Sequence, residues 1–372
     1  METCTVLIVG GGPAGSTCAR QLTAQGIDVL IIDKARFPRD KVCAGWITPA
    51  IVHSLQLDTV DYAHGRVWQP FTQFKTGLIG HTPTLTDYGQ PVSYGIRRCE
   101  FDAYLLDRCG ARLSLGEAFR SMEQDGDAWV INGRYRAQLV IGAGGHFCPV
   151  ARAIAPRAEE HDEPVVLAQE VEFELKPEDR ERCPVSGVCP ELYFCPDLAG
   201  YGWIVRKGDY LNIGLGREGE RNLSTQLEAF LTDLRQRGRL TVGIPQPFKG
   251  HAYRLRRHAP QLKLPPRVLL IGDAWGLAYP QSGEGIRPAI ESGWLAAKVI
   301  HVANGDFSQP LAERLNEECR QRFGSGAARP DWSPPWMKPW RQWAAARCMQ
   351  SRWFHRRILL DRWFLHSQQR AL

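Results

Sequence analysis

Thr5-Val6-Leu7-Ile8-Val9 runs straight into Gly10-Gly11-Gly12-Pro13-Ala14-Gly15, and Val29-Leu30-Ile31-Ile32 ends in Asp33. The two apolar runs, rich in β-branched residues, have the length and composition of buried strands in a parallel sheet. Between them a helical pattern extends from Ser16 to about Gln25 and stops at Gly26. The glycines have the G-x-G-x-x-G spacing, and each has a task. Gly10 permits a tight turn, Gly12 lets a pyrophosphate approach the backbone, and Gly15 lets helix and strand pack closely. Amides at the helix start then face the phosphates. Asp33 lies 23 residues after Gly10, where a carboxylate can accept hydrogen bonds from a ribose. Strand, glycine turn, helix, strand and acid in this order predict a dinucleotide-binding α/β unit. They do not choose between NAD and FAD.

The rest of the chain is large enough for a second domain. Its 372 residues, 44% hydrophobic and 23% charged, exclude a disordered chain, a collagen-like fibre and a multi-span membrane protein. The formal charge of +6 is unevenly placed. From Arg329 to Leu372 nine Lys and Arg face Asp331 and Asp361, a net of +7, so the first 328 residues carry a net of −1. A neutral body without a recognisable module excludes a general nucleic-acid binder. No run of 18 apolar residues exists. The start Met1-Glu2-Thr3-Cys4 lacks the basic segment of a secretory signal, and eleven cysteines are too few for a disulfide scaffold. A reducing, cytoplasmic setting is expected.

A second glycine-rich segment lies far along the chain. Val268-Leu269-Leu270-Ile271 precedes Gly272-Asp273-Ala274, and Pro280-Gln281-Ser282-Gly283-Glu284-Gly285-Ile286 precedes a helical stretch from Arg287 to Val299. This pattern resembles the second flavin fingerprint of the FAD-dependent monooxygenase and reductase superfamily. The resemblance implies that Asp273 contacts the ribityl or pyrophosphate part of FAD. It also implies that Gly283, Gly285 and Ile286 face the flavin pyrimidine edge, where helix-start amides stabilise negative charge on reduced flavin.

Within that superfamily the chain most resembles the geranylgeranyl reductase-like family. Arg36 to Gly45 is similar to the P-R-x-K-x-C-G segment, Arg98-Cys99-Glu100-Phe101-Asp102-Ala103-Tyr104-Leu105 to R-x-x-F-D-x-x-L, and Tyr201 to Gly216 to Y-x-W-x-F-P-K-G-D-x-x-N-V-G-x-G. Gly144 stands where the family pattern has Asp, and Val205-Arg206 replaces Phe-Pro. The implied fold is α/β: an FAD-binding Rossmann-like domain of the aromatic-hydroxylase type, an antiparallel-sheet substrate domain and a C-terminal helical tail. The expected division is 1–75, 95–160 and 250–305 for FAD, 76–94 and 161–249 for substrate, and 306–372 for the tail.

The expected cofactor residues are Gly10, Gly12, Pro13, Ala14, Gly15, Asp33, Lys34, Lys41, Gly45, Arg98, Gly272, Asp273, Gly283, Gly285 and Ile286. Arg97 is the neighbour most easily mistaken for Arg98. On the substrate side the family places Cys43 near the flavin and Trp203 toward the pocket; strand alternation puts Tyr201 on the same face as Trp203. Cys43 either shapes an alkene pocket and relays a proton or is a small packed thiol. Arg206 either pairs with an acidic substrate group or points to solvent.

Two chemistries follow from the resemblance. The first is reduction of C=C bonds in an isoprenoid or other apolar substrate, with FAD recharged by NAD(P)H or another transient donor. The second is a monooxygenase or halogenase reaction on an aromatic group, through an oxygen adduct at flavin C4a. The expected substrate is an apolar or aromatic small molecule, whether free, membrane-borne or protein-linked.

Cys183, Cys189 and Cys195 have a C-x5-C-x5-C spacing that matches neither zinc nor iron–sulfur patterns, so no metal is expected. In the tail, Trp332, Trp336, Trp340 and Trp343 are interrupted by prolines, whereas Gln342 to about His366 reads as a helix with an apolar face and a cationic margin. Such a helix can clamp onto the protein's own body, rest peripherally on an anionic inner-membrane surface, or bind a protein partner.

Overall fold

The computed structural model describes residues 1–154, 165–219, 222–256, 263–308, 310–324 and 347–372. The tryptophans from Trp332 to Trp343 lie outside the described residues, as does His258. The chain divides into two compact units. The first comprises Met1–Asp40, Cys99–Pro164 and Tyr253–Ala328, and the second Lys41–Arg98, Val165–Ala252 and Arg329–Leu372.

At the centre of the first unit lies the strand Glu2–Val9, paired in parallel with Val29–Asp33 on one side and Tyr135–Gly142 on the other. Arg112–Leu115 extends the sheet beyond Val29–Asp33. Two partners share the strand Tyr135–Gly142. Its first half pairs antiparallel with Ala128–Ile131, and its second half pairs parallel with Val268–Leu270. The Asn132-Gly133 turn that closes the hairpin has both residues at positive φ, as a tight two-residue hairpin requires. Leu7, Ile8, Ile31, Val140 and Leu269 are buried on the parallel part, as expected where helices cover both faces. The helix Pro13–Thr23 begins three residues before the hydrophobic pattern suggests, because Pro13 occupies its first turn and needs no amide partner there.

The second unit is built on a seven-stranded sheet with the order Lys249–Tyr253, Val166–Glu174, Tyr210–Glu218, Gly200–Lys207, Glu191–Phe194, Gln73–Leu78 and Thr84–Asp87. Its named pairings are antiparallel except one: Glu191–Phe194 runs parallel to Gln73–Leu78. The strand Gln73–Leu78 thus belongs to the sheet of the second unit, which begins at Lys41. One face of the sheet carries Tyr193, Ile204, Ile213 and Leu215 and is covered by the helix Leu223–Gln236 through Leu227, Phe230, Leu231 and Leu234. Asn222 precedes that helix in the left-handed region and makes no side-chain cap.

The opposite face carries Phe74, Leu192, Phe194, Trp203 and Val205, and the C-terminal segment packs on it. Its helix, His355–Phe364, is π-helical rather than the α-helix expected. The burial pattern gives the physical reason. His355, Leu360 and Leu365 are buried, as are Leu359 and Phe364, so inward positions recur every five residues. The i→i+5 hydrogen bonding of a π-helix brings such positions into line; the Leu365 amide donates to the Leu360 carbonyl at 2.8 Å. The tail thus spends its apolar face on its own unit. Arg352, Arg356, Arg357 and Arg362 remain exposed.

Candidate cofactor cradle and substrate wall

In the first unit, the turn after Glu2–Val9 is sterically closed to side chains. A Cβ on Gly15 would stand 2.0 Å from the Gly10 carbonyl oxygen, and one on Gly10, whose φ is +116°, 2.5 Å from the Ala143 carbonyl oxygen. Gly12 differs: a Cβ there would meet only the Arg39 guanidinium, at 3.3 Å. Arg39 Nη2 pairs with the buried Asp102 at 3.2 Å, while its Nη1 is buried without a hydrogen-bond partner. A helix N-terminus, a bare glycine and an unsatisfied guanidinium nitrogen leave a cradle suited to an anion. Asp33 accepts the Gly11 amide on one oxygen and the Ala35 amide on the other, both at 2.8 Å. Each oxygen retains a lone pair for a ribose hydroxyl. These residues fit the adenosine diphosphate half of FAD. Lys34, by contrast, is exposed.

The second glycine segment lies in the same unit. Gly272 and Gly283 have positive φ, and Gly285 precedes the helix Ile286–Ala303. Asp273 is brought to this helix start: a Cβ on Gly285 would stand 3.1 Å from its Oδ1. The helix packs on Pro13–Thr23 so tightly that a Cβ on Gly293 would fall 2.4 Å from the Ala14 carbonyl oxygen. The two fingerprints, some 260 residues apart in sequence, are therefore neighbours. Burial pushes the Glu284 carboxyl up to about 8, against the pull of Arg287. Gly144 is explained by space, since a side chain there would press on Cys148 and Pro149 at 3.1 Å.

In the second unit, the sheet face bearing Trp203 carries a buried polar group at one side. Register sets Glu170 opposite Gly214 and Gly214 opposite Trp203; Glu172 pairs with Asn212 in the same way. The Trp203 indole N–H donates to Asn212 Oδ1 at 2.7 Å, and the Asn212 amide donates to the Cys43 carbonyl at 3.2 Å. The Cys43 backbone N–H donates to Glu170 Oε1 at 2.5 Å. Cys43 is thus held at both backbone groups, and the Trp203 orientation that the family pattern implies is fixed through Asn212. The Tyr201 and Trp203 rings lie on one face with centroids 6.0 Å apart, and Phe364 of the tail meets Tyr201 edge-on at 5.3 Å.

Lys207, fully buried, pairs with Glu172 at 2.5 Å and donates to the Ala44 and Ile96 carbonyls. A Cβ on Gly45 would meet the Ile96 carbonyl at 2.4 Å and Lys207 Nζ at 2.7 Å, and one on Gly95 the Phe71 ring at 2.5 Å and Lys207 Cγ at 2.8 Å. Burial works against the charged form of Glu172, yet Lys207 and Arg97 beside it hold its carboxyl below the usual range. Burial pushes Glu170 the other way, up to about 7.

Several expected residues have local partners of their own. Lys41 Nζ contacts His251 at 2.5 Å. Arg97 pairs with Glu172 and lies 3.8 Å above the Tyr210 ring, whereas Arg98 is buried at the start of the helix Arg98–Asp107. Arg206 alternates away from Trp203 and lines an open polar cleft with Gln69 and Asp209. Cys189 and Cys195 are buried, and burial pushes both thiols up to about 11. Glu170, Glu172, Asn212 and Lys207 had no role in the sequence reading. The one signal was acids at alternate positions, 170, 172 and 174, in a strand with apolar neighbours.

A glycine turn suited to an anion, an acid with lone pairs free for a ribose and a second glycine-capped helix beside it fit a dinucleotide-binding protein. The FAD binding domain family matches residues 3–326, and the chain belongs to it. Among its relatives, menaquinone reductase of Mycolicibacterium smegmatis is 30% identical over 354 residues, covering 86% of this chain and 81% of that protein. Digeranylgeranylglycerophospholipid reductase of Methanocaldococcus jannaschii is 25% identical, over 85% and 82% respectively. In fold, the chain is similar to a geranylgeranyl bacteriochlorophyll reductase-like protein from Thermoplasma acidophilum, with a TM-score of 0.71, 22% identity and coverage of 94% and 88%. The protein is an FAD-dependent oxidoreductase. No helix among the described residues is long and apolar enough to cross a membrane.

Proposed function

We propose that the protein reduces C=C bonds in an isoprenoid or similar apolar chain, with NAD(P)H or another transient donor returning FAD to its reduced form. The observation that carries this reading is the composition of one sheet face in the second unit. Trp46, Phe194, Tyr201, Trp203 and the tail's Phe364 form an apolar wall, bordered by the carboxyl of Glu170 and the clamped backbone of Cys43. Bound FAD supplies hydride. The chain's own residues do the rest. Gly10, Gly12, Pro13, Ala14, Gly15 and Asp33 hold the adenosine end, while Asp273, Gly283, Gly285 and Ile286 hold the flavin end. Tyr201 and Trp203 hold a flat unsaturated segment by apolar contact and exclude water, and Cys43 shapes the edge of that wall.

The names of the relatives support an isoprenoid or quinone-like substrate. The reaction belongs at a cytoplasmic membrane surface, where Trp353 and the exposed arginines of the tail meet anionic headgroups. The test is anaerobic incubation of the reduced, FAD-loaded protein with unsaturated isoprenoids, followed by mass spectrometry. Gain of two hydrogens per double bond is the expected result. Incorporation of an oxygen or halogen atom, seen only in air, overturns it in favour of the oxygenase chemistry.

A further inference from the structure

Resting on the assignment of Gly283, Gly285 and Ile286 to the flavin end, we propose that Glu284 is a redox-linked proton site, which takes up a proton when the flavin gains negative charge and so makes the flavin's potential depend on pH. Every residue concerned lies within the first unit.

Two local preferences are broken where the helix Ile286–Ala303 begins. Its first turn holds no acid but does hold Arg287, a cation that opposes the helix dipole. Arg287 is also fully buried, where a charge is costly unless it is paired. Its Nε donates to Glu291 Oε1 at 2.9 Å, one turn further on. Glu291 is not held by Arg287 alone. Arg322, from the helix Leu311–Phe323, donates to both Glu291 oxygens, at 2.8 and 2.6 Å. Two guanidinium groups thus share one buried carboxylate.

Glu284 is the second acid of this group. Its backbone is fixed at both ends: the N–H donates to Ser282 Oγ at 3.3 Å, and the carbonyl accepts the Tyr279 amide at 3.0 Å. Both oxygens of its carboxyl are buried. With Glu284 ionised, its charge and those of Arg287, Arg322 and Glu291 cancel. With Glu284 protonated, they leave one positive charge at the helix start. The other titratable groups facing this turn are Tyr279, Tyr253 and Asp273. Burial holds the Tyr279 hydroxyl far above its ordinary range. Tyr253 turns its hydroxyl toward Gly283, and Asp273 lies across Gly285. Burial is the largest influence on Glu284 and favours the neutral acid; Arg287 opposes it and Glu291 reinforces it, so the carboxyl titrates at about 8.

Reduction by the electron donor adds two electrons and one proton to the flavin, which leaves a negative charge on it. That charge and a Glu284 carboxylate repel each other. Glu284 therefore takes a proton from solvent, forming an O–H bond, and passes neither proton nor electron to the flavin. By linkage, the protonated acid favours reduction by the same factor as reduction favours the proton. Below pH about 8 Glu284 is neutral in both redox states; above it, uptake accompanies reduction.

The test is the midpoint potential of the FAD-loaded protein, measured by dye equilibration on both sides of pH about 8. Above that pH the wild-type potential should fall more steeply than that of Glu284→Gln, by the slope of one further proton per flavin; below it the two should run parallel. A merely structural role would leave the slopes equal throughout. Reduced-minus-oxidised infrared spectra of ¹³C-glutamate-labelled protein, taken above pH about 8, read the same event directly. The wild type should gain a protonated carboxyl on reduction, and Glu284→Gln should not. Equal slopes overturn the proposal, as does a wild-type spectrum without the gained carboxyl. If Glu284→Gln does not hold FAD, Glu284→Asp decides: the gained band loses its ¹³C shift if it belongs to Glu284, and a band that keeps the shift overturns the proposal. No substrate enters these measurements. Failure to saturate an isoprenoid therefore leaves the proton site standing, equal slopes leave the reductase reading standing, and a protein that binds no FAD overturns both.

Discussion

In the first unit, Gly10, Gly15 and Gly293 sit where a single methyl group would run into a carbonyl oxygen. In the second, Gly95, Gly202 and Gly214 sit where a methyl group would run into the side chains of Phe71, Phe230 and Trp203. The first set keeps backbone against backbone, a geometry that any member of the fold must reproduce. The second set makes room for particular residues, so its glycines follow the choice of side chain. At these positions the first unit is constrained by backbone spacing, and the second by the side chains that pack across it.

The comparison is broken most directly by adding one methyl to each unit. Gly15→Ala places a Cβ 2.0 Å from the Gly10 carbonyl, and the turn has no slack to yield. If that turn is the pyrophosphate cradle proposed above, bound flavin should fall below about a tenth of the wild-type content by absorbance. Gly214→Ala should displace Trp203 while leaving flavin content intact. Loss of FAD in both variants would erase the distinction.

A smaller effect tests the side-chain scaffolding of the second unit. Lys207→Met leaves the largely buried Glu172 without its closest cation and two carbonyls without a donor. Removing one member of a buried pair costs about 3–5 kcal/mol, and here the low end applies because Arg97 still reaches Glu172. Urea denaturation measures it. No change in stability would show that the cluster is solvated rather than sealed.

The smallest effect concerns the tail. The ring of His355 is engaged on both sides, by the Thr76 hydroxyl and by the Met349 carbonyl at 2.8 Å. Burial pushes its pKa below the ordinary 6.5, and the Met349 contact only partly opposes this. The unfolded ring therefore takes up a proton first as pH falls. Stability from the neutral ring is present above pH 6.5 and declines below it. Protection factors for hydrogen exchange of residues 355–364, taken relative to the intrinsic rate at each pH, should fall on acidification. Thr76→Val should reproduce part of the change at neutral pH, at about 1–2 kcal/mol for an orphaned ring nitrogen. Equal protection factors at pH 7 and pH 5 would show that the ring does not hold the tail.

How much was legible follows the same divide. The strands Glu2–Val9, Val29–Asp33 and Val268–Leu270 and the glycine-capped helices between them stand within a few residues of where the apolar runs put them. Backbone constraints leave local signatures. Lys207 and Asn212 stand in the Tyr201–Gly216 segment, but their meeting with Glu170 leaves no local trace, because the three come from three strands joined only by register. Acids at alternate positions also read most simply as a solvent face. The tail's helical character was visible in its lack of proline and glycine, but its winding was not. A spacing of five becomes meaningful only once the surface it packs on is known.

That tail has a consequence for how the protein is made. The second unit draws on residues from Lys41 onward, and its aromatic face is closed by Leu359, Leu360 and Phe364. Domains generally fold in the order in which they leave the ribosome, but this one cannot be completed until Phe364 has emerged. Until then Trp46, Phe74 and Trp203 form an apolar sheet surface not yet covered by Leu359, Leu360 and Phe364. A nascent chain stalled shortly before Leu359 would display that surface, making it a natural client for holding chaperones.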